Sequence, residues 1–374
     1  MKPVSRPTRS LDSKTTVRPK ARAFQAGGTA EGASSARAVS GIRPKEEKLA
    51  GYLMARTAIH QKVEGQDLKN LWIGHESVQK VCDFMPLGRA NVIEDIEKAK
   101  NAHIPLRKVA SDKLTRGLLE DKARSKRGDT TESDYYRASA ASALYSKTGT
   151  CGSYSVLTAP LHATRLARMG NESMIVSQAK HTLIDHGWSE MHIKGMGKDG
   201  QPVLHDKDVI MDGWSKERLA VFREDSEFAH RTDRIKHLEV LDHRTGPEAE
   251  REVARFRSRI EGRMRLRNSY WNKFETLVDA KVEISEKYFW NATSIFHAEF
   301  RQHAGKAVHP MAPSPGTGSS IKDAGHEAEQ AKRATLPEIQ AVGVARSLGA
   351  NIRGAVAEAP KIIASAKEMF PDPR

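Results

Sequence analysis

The chain has 374 residues, a length that suits two modest domains or one domain with tails. Its 61 lysines and arginines exceed its 47 aspartates and glutamates, which gives a net charge of +14, and only 6% of the residues are aromatic. No run of about 18 apolar residues occurs, which argues against a membrane-spanning helix, and the N-terminus lacks the apolar core of a secretory signal peptide. Two cysteines, Cys82 and Cys151, are too few for a disulfide framework and suit a reducing compartment or a catalytic thiol.

Residues 1–44 form a basic segment with few aliphatic residues. They contain nine lysines or arginines against two acids, so this segment supplies half of the net charge of the chain. Such a composition cannot bury enough apolar surface to fold, and we predict a disordered leader. Its arginine and serine content is also typical of a transit peptide, but Pro3, Pro7 and Pro19 disfavour an amphipathic helix there.

Residues 45–130 have apolar side chains at spacings of three and four, which predicts short amphipathic helices. Cys82 lies on one of these apolar stripes, where a free cysteine is usually a small core residue. We therefore expect a helical N-terminal region in which Cys82 is structural.

Residues 231–307 are predicted to form two long helices, broken near Gly246-Pro247, that complete the domain. The second contains seven arginines between positions 251 and 267, a basic face that either contacts solvent or binds an anionic partner. Residues 308–374 are predicted to be a proline- and glycine-rich linker followed by a weak amphipathic helix.

The segment 131–230 contains the candidate nucleophile. Gly149-Thr150-Cys151-Gly152 precedes an apolar pattern of helix length, so we expect Cys151 in the first turn of a helix that Pro160 kinks or ends early. The positive end of a helix dipole favours the thiolate, the nucleophilic form of cysteine. Flanking glycines let a substrate carbonyl approach, and nearby amides can serve as oxyanion donors.

Two strands that follow this helix are predicted to pair as a hairpin. In residues 181–194 the side chains alternate in character, as in a half-buried strand. One face of this strand holds His186, Trp188, Glu190 and His192. The second strand is residues 209–214, after a turn at residues 195–202. A turn centred near Asp199 places His186 directly opposite Asp212, within reach of a hydrogen bond.

Cys151, His186 and Asp212 together predict a catalytic triad of nucleophile, general base and orienting acid. Each residue alone is more often structural, and it is the combination that points to catalysis. A metal site at His181, His186, His192 and His205 is the alternative. These histidines have no HxxxH spacing, and we predict neither a metal nor a cofactor.

These motifs resemble those of a known family. The order Gly-x-Cys-Gly, His-x-Trp-x-Glu and Asp-x-Trp resembles the transglutaminase-like branch of the papain-type cysteine enzymes. More closely, Thr150-Cys151-Gly152, the His186 strand, and residues 209–214 followed by 222–226 resemble the AvrPphE/HopX/XopE family of type III effectors, which bacteria deliver into plant cells. The resemblance covers residues 133–230 and implies an α+β fold in which the nucleophile helix packs on an antiparallel sheet, with added helices before and after it.

The same resemblance implies a role and a destination. Cys151, His186 and Asp212 would act on a host protein after type III secretion into the host cell, and the leader would serve translocation and bind a secretion chaperone. The chain starts Met1-Lys2-Pro3, so membrane contact by acylation of an N-terminal glycine is not expected. For the oxyanion-hole side chain of papain-type enzymes, Gln79 and Asn91 are the candidates.

The expected chemistry is acyl transfer through a thioester, and the sequence leaves the acceptor open. Water would make the protein a protease or deamidase, an amine would make it a transglutaminase, and a glycan amide would make it an amidase of the peptide N-glycanase type. A different class is a non-catalytic basic protein that binds partners or nucleic acid. We expect no specific nucleic-acid binding, because half of the charge lies in the leader and no zinc-finger or RNA-binding signature occurs.

Overall fold

The computed structural model describes residues 44–99, 103–125, 129–266, 274, 276 and 289–306. The predicted leader (apart from Pro44), the C-terminal linker and the weak C-terminal helix lie outside these residues.

Within this part of the chain, six α-helices precede the sheet. They are α1 (Glu47–Ala58), α2 (Gly65–Phe84), α3 (Ile93–Lys98), α4 (His103–Arg124), α5 (Glu132–Ser146) and α6 (Cys151–Arg168). The helices predicted between residues 45 and 130 are thus present as α1 to α4. Helix α6 continues through Pro160 to Arg168 and does not end early. Among the described helices, none has both the length and the apolar character needed to cross a membrane.

The sheet has five antiparallel strands in the order β4-β3-β2-β1-β5. They are β1 (Ile175–His181), β2 (Gly187–His192), β3 (Val209–Asp212), β4 (Leu219–Phe222) and β5 (Ile235–Leu241), and α7 (Thr245–Arg265) and α8 (Ala298–Lys306) follow. The predicted α+β class with an antiparallel sheet is therefore confirmed.

The prediction of two long helices over residues 231–307 is wrong at its start. Residues 235–241 form β5, which pairs with β1 at the edge of the sheet. The predicted break at Gly246-Pro247 instead marks the beginning of α7, whose Phe256 and Ile260 are buried. Strand β5 lacks a clear alternation because most of its residues are half-buried and because Lys236 and Glu239 interrupt its apolar positions.

The predicted hairpin is present, with a shifted register. Its tip pairs Met196 with Pro202, as a turn centred on Asp199 requires. The strands themselves pair Met191 with Val209, which shifts the register by two residues.

The side chain of Asp208 accommodates this shift. It accepts the backbone N–H groups of Ile193 (3.0 Å) and His205 (2.9 Å), which bends the chain before β3. The expected direct opposition of His186 and Asp212 is thus wrong, since the register places Asp212 opposite Trp188. A shift of two residues preserves the face, so His186 and Asp212 remain diagonal neighbours.

Helices α6 and α2 pack on one face of the sheet. Ser155 on α6 donates to the carbonyl of Trp188 (2.8 Å), and Ser189 on β2 donates back to the carbonyl of Ser155 (3.0 Å). These reciprocal hydrogen bonds fix the first turns of α6 against β2. On α2, a Cβ at Gly74 would lie 2.8 Å from Val209 Cγ1, so glycine permits the close approach of helix and sheet.

Helix α1 lies against β4 through apolar core side chains and is also tied by ion pairs to the segment after that strand. Arg56 is buried and pairs with Asp225, which follows β4, and with Glu224 at 2.8 Å. Tyr52, also buried, donates its hydroxyl to Asp225. This network holds the segment after β4 to the first described helix.

Candidate active site

Cys151 is the first residue of α6, as predicted. The hydroxyl of Ser153 accepts the backbone N–H of Thr150 (3.3 Å) and closes the start of the helix. Gly149 is required there, because a Cβ on it would lie 2.3 Å from Ser153 Cβ. Gly152 is exposed, and a Cβ on it would meet nothing within 4 Å. The thiol therefore lies at a helix N-terminus with one side open to an incoming group.

His186 and Asp212 form a buried pair beside this helix. His186 Nε2 lies 2.8 Å from Asp212 Oδ2, and the two residues are 8% and 2% exposed. The other carboxylate oxygen accepts the backbone N–H groups of Trp214 (2.8 Å) and Ser215 (3.0 Å). These amides fix the carboxylate, and the carboxylate in turn fixes the orientation of the imidazole.

The thiol of Cys151 interacts with His186 as well. Burial alone would lower the pKa of His186, but the Asp212 carboxylate and a hydrogen bond to Cys151 raise this pKa to about 10. Because Nε2 contacts Asp212, Nδ1 is the nitrogen available to the thiol. Cys151 Sγ also lies 3.7 Å from the carbonyl oxygen of Asp185, the residue before His186. The structure thus brings the three predicted residues together in the order thiol, imidazole and carboxylate.

Aromatic rings enclose the imidazole. The ring centroid of His186 lies 5.2 Å from that of Trp214, 5.9 Å from that of Phe228 and 6.0 Å from that of Trp188. Trp188 and Phe228 stack at 3.6 Å. This apolar wall excludes water from one side of the imidazole, which strengthens its interaction with Asp212.

Cys82 has different surroundings. It lies in α2 among apolar side chains, and its Sγ is 3.9 Å from the carbonyl oxygen of Gly213. Burial raises the pKa of the Cys82 thiol to about 11. A thiol with this pKa is almost entirely protonated near neutral pH and is a poor nucleophile.

The two candidates for the oxyanion side chain differ in their contacts. Gln79 donates its Nε2 to the carbonyl of Arg218 at 2.9 Å, so its amide is already used in packing. Asn91 accepts the indole N–H of Trp214 at its Oδ1 (2.9 Å). Asn91 is therefore linked to the tryptophan that contacts His186.

The four histidines considered for a metal do not converge. Nδ1 of His181 accepts the backbone N–H groups of Leu183 and Ile184, and Nδ1 of His205 accepts that of Lys207. In the described residues, the groups with suitable spacing are Glu190 with His192 and His237, and His230 with His297 and Glu299. In the first group Glu190 pairs with Arg223, whose charge opposes a cation.

Sequence reasoning missed two contributions to this site. Phe228 had no signal, because its contact with His186 depends on how the chain turns after β4. The carbonyl of Asp185 also had none, since backbone contacts are not encoded by residue type. Trp214 did have a sequence signal, the Asp-x-Trp spacing. In the structure, Trp214 is a neighbour of both His186 and Asn91.

Comparison of this chain with protein-family models, with curated proteins and with solved structures finds no match.

Proposed function

We propose that this protein is an acyl-transfer enzyme that attacks amide bonds with the Cys151 thiolate. What supports this most is one arrangement: a half-buried thiol at the first residue of a helix, 3.7 Å from the carbonyl oxygen of the residue before a histidine whose Nε2 lies 2.8 Å from a buried aspartate. A cysteine that only fills space in the core needs neither a histidine nor an aspartate beside it.

The steps balance without a cofactor. The sulfur of the Cys151 thiolate bonds to the amide carbon, and the carbonyl π electrons move to oxygen. His186, held as imidazolium by Asp212, gives its proton to the leaving nitrogen as the C–N bond breaks, leaving a thioester and an amine or ammonia. Water or a second amine then gives a proton to His186 and attacks the thioester, which releases the product and restores the thiolate.

The arrangement resembles a papain- or transglutaminase-like core, in which a nucleophile helix packs against an antiparallel sheet that contributes the histidine and the acid. We extend the proposal to the role implied by the AvrPphE/HopX/XopE resemblance, that of a type III effector with a host protein as substrate. Protease, deamidase, transglutaminase and peptide N-glycanase chemistries all share the thioester step, and they differ in the bond broken and in the acceptor.

A non-catalytic role is supported by a different observation. Arg251, Arg255 and Arg259 are exposed along one face of α7 and form no ion pair with any described residue. Such a face attracts an anionic partner. If this were the whole function, reversing the charges of Arg255 and Arg259 would remove activity in cells and Cys151→Ala would not.

The test of the acyl-transfer proposal uses the full chain with dimethylcasein and dansylcadaverine. Three products are followed: fluorescent casein for an amine acceptor, ammonia for hydrolysis of side-chain amides, and new peptide ends for cleavage of the main chain. We expect at least one of these products from the wild type and none from Cys151→Ala.

Cys82→Ala is the matched control, because it removes the other thiol and leaves the site intact. It should keep the wild-type rate. Retention of activity in Cys151→Ala would overturn the proposal. So would the absence of all three products together with equal alkylation rates at the two thiols.

A further inference from the structure

The segment after β4 runs antiparallel to the segment that leads into α8. His297 donates its backbone N–H to the carbonyl of Asp225 (2.8 Å), and Glu227 donates its backbone N–H to the carbonyl of Ile295 (2.8 Å). An antiparallel β-bridge lies between these two hydrogen bonds. The pairing therefore fixes where the residues that follow on each segment are placed.

Three side chains that can ligate a metal ion meet beside this pairing. They are His230 on the first segment, His297 immediately before α8, and Glu299 in the first turn of α8. One ligand atom from each lies within 4.8 Å of the other two. The rings of His230 and His297 meet edge to face, with centroids 4.7 Å apart.

The separation of His230 Nε2 from Glu299 Oε2 is 3.6 Å, which suits a shared metal ion. This distance is too long for a direct hydrogen bond. Two ligand atoms at about 2.0–2.2 Å from a tetrahedral zinc ion lie about 3.3–3.6 Å apart. These two atoms therefore already have the separation that zinc requires, and imidazole nitrogen with carboxylate oxygen is a donor set that zinc accepts.

The charges around this group differ from those around the other group of metal-ligating side chains. There, Glu190 pairs with Arg223, whereas Glu299 forms no ion pair with a lysine or arginine of the described residues. Arg231, which follows the first histidine of the group in the chain, is itself paired with Glu227 at 3.3 Å. The carboxylate of Glu299 is thus available to a cation.

One hydrogen bond competes with a metal at His297. Its Nδ1 accepts the backbone N–H of Glu299 at 3.2 Å, and coordination of His297 through either ring nitrogen ends this bond. The loss is small, because the bond is long and because the freed N–H lies on an exposed residue in the first turn of α8, where it can face water.

We propose that His230, His297 and Glu299 bind one zinc ion, with water in the fourth position. The ion joins the segment after β4 to α8 and takes no part in the proposed acyl transfer. Phe228, two residues before His230, stacks on Trp188, and its ring lies 5.9 Å from that of His186. Zinc therefore holds the segment that supplies one wall around this imidazole.

The zinc site is tested on the full chain after chelation has removed bound metal. Calorimetric titration with Zn²⁺ should show one ion per chain, and Co²⁺ should give the strong visible absorption of a four-coordinate complex. We expect His230→Ala, His297→Ala and Glu299→Gln each to weaken zinc binding by at least about 10²-fold, since loss of an outer-shell partner alone costs about 10–100-fold. Zinc should raise the urea midpoint of the wild type and leave that of His297→Ala unchanged.

His60→Asn is the matched control, because His60 is an exposed histidine outside the group and its φ of 62° is one that asparagine tolerates. It should keep the wild-type affinity, and so should His237→Gln, which removes a histidine of the other group. Unchanged affinity in His230→Ala and His297→Ala would overturn the assignment. The absence of one-to-one binding by the wild type, or a weak six-coordinate absorption with Co²⁺, would overturn it as well.

Discussion

The hairpin of β2 and β3 holds two histidine–aspartate pairs of similar geometry. His186 Nε2 lies 2.8 Å from Asp212 Oδ2 near one end, and His192 Nδ1 lies 3.2 Å from Asp208 Oδ2 at the other. Both aspartates also accept two backbone N–H groups. As hydrogen-bonded pairs they are nearly equivalent, and only one of them is beside a thiol.

In the second pair, a serine hydroxyl contacts the histidine nitrogen that does not face the aspartate. Ser177 Oγ lies 2.8 Å from His192 Nε2, so Ser177, His192 and Asp208 have the connectivity of a serine catalytic triad. All three are fully buried, and the hydroxyl also contacts Nδ1 of His237 at 2.9 Å. Ser177 lies within β1, where backbone amides pair with neighbouring strands.

The difference shows what a triad needs beyond its hydrogen bonds. Cys151 is reached from one side and begins a helix, whereas Ser177 is closed off inside the sheet. A nucleophile without access for a carbonyl and without free amide donors cannot stabilise an oxyanion. We therefore interpret the first set as catalytic and the second as a structural polar network.

Replacement of the two nucleophile positions should separate these interpretations most strongly. Cys151→Ala should lower the rate of acyl transfer by at least about 10⁴-fold with little change in melting temperature, because the thiol is the attacking atom. Ser177→Ala should keep the rate within about threefold and destabilise the protein by about 1–3 kcal/mol, because nitrogens of the buried His192 and the half-buried His237 lose their partner. Turnover and urea unfolding of both variants would test this. A large loss of rate in Ser177→Ala at unchanged stability would contradict the comparison.

The two aspartates should also differ, with a smaller effect on the rate than the two nucleophile positions. Asp212→Asn should lower turnover by about 10²–10³-fold, because the amide no longer holds the imidazolium. It should also lower the unfolding free energy below about pH 10, because the carboxylate that raises the pKa of His186 is lost. Asp208→Asn should cost about 1–3 kcal/mol of unfolding free energy, since three donors then share one oxygen acceptor, and change turnover little. Parallel measurement of kcat and of the unfolding free energy gives the answer. Full activity in Asp212→Asn would mean that the acid lies elsewhere.

The two thiols, Cys151 and Cys82, should differ in their rates of alkylation. Dilute iodoacetamide at pH 7.5 should alkylate Cys151 at least about 10²-fold faster than Cys82, whose raised pKa of about 11 leaves little thiolate. Time-resolved peptide mass spectrometry measures both rates in one sample. Equal rates would remove the main support for Cys151 as the nucleophile.

The pH dependence of stability should have opposite signs at His186 and at His237, the β5 histidine that contacts Ser177 of the second set. His186 has its pKa raised from 6.5 to about 10, so its contribution is complete below about pH 6.5 and declines as the pH rises towards 10. Burial lowers the pKa of His237 from 6.5 to about 3, so its contribution is complete above about pH 6.5 and declines as the pH falls.

Urea midpoints between pH 4 and 9 would measure these slopes. Asp212→Asn should flatten the decline above pH 6.5, and His237→Gln should flatten the decline below it. His162, whose buried ring also has its pKa lowered to about 3, keeps part of the acid decline in the second variant. Identical curves for all three proteins would show that neither histidine is linked to stability.

The clustering of Cys151, His186 and Asp212 could be predicted from the sequence because its cues are local. Cys151 stands between glycines at the start of an apolar pattern. His186 and Asp212 lie on the same face of the hairpin, and a register shift of two residues leaves them on that face. The diagonal placement of the pair could not be predicted, because the bend at Asp208 depends on hydrogen bonds to Ile193 and His205 and not on turn residues.

Strand β1 could not be predicted from the sequence, because buried polar residues interrupt its pattern. Strand β1 contains Ser177 and Gln178, both fully buried, which interrupt its apolar pattern. Their burial is tolerated because Ser177 contacts His192 and Gln178 donates to Glu239 on β5 (2.9 Å). These partners lie on other strands, so no window of sequence around β1 contains the information.

The pairing of Arg56 with Asp225 has a consequence for the order in which the proposed site is assembled. The two residues are 169 positions apart in the chain, and a guanidinium buried without its partner is strongly unfavourable. Helix α1 therefore cannot settle until the chain beyond β4 has been made, and contacts between such distant segments form slowly. Asp225 is also three residues before Phe228, which stacks on the imidazole of His186. An incomplete chain that ends before Asp225 already contains Cys151, His186 and Asp212, yet lacks both the carboxylate that pairs with Arg56 and the Phe228 ring that stacks on His186, so the proposed site is complete only after this segment has been added.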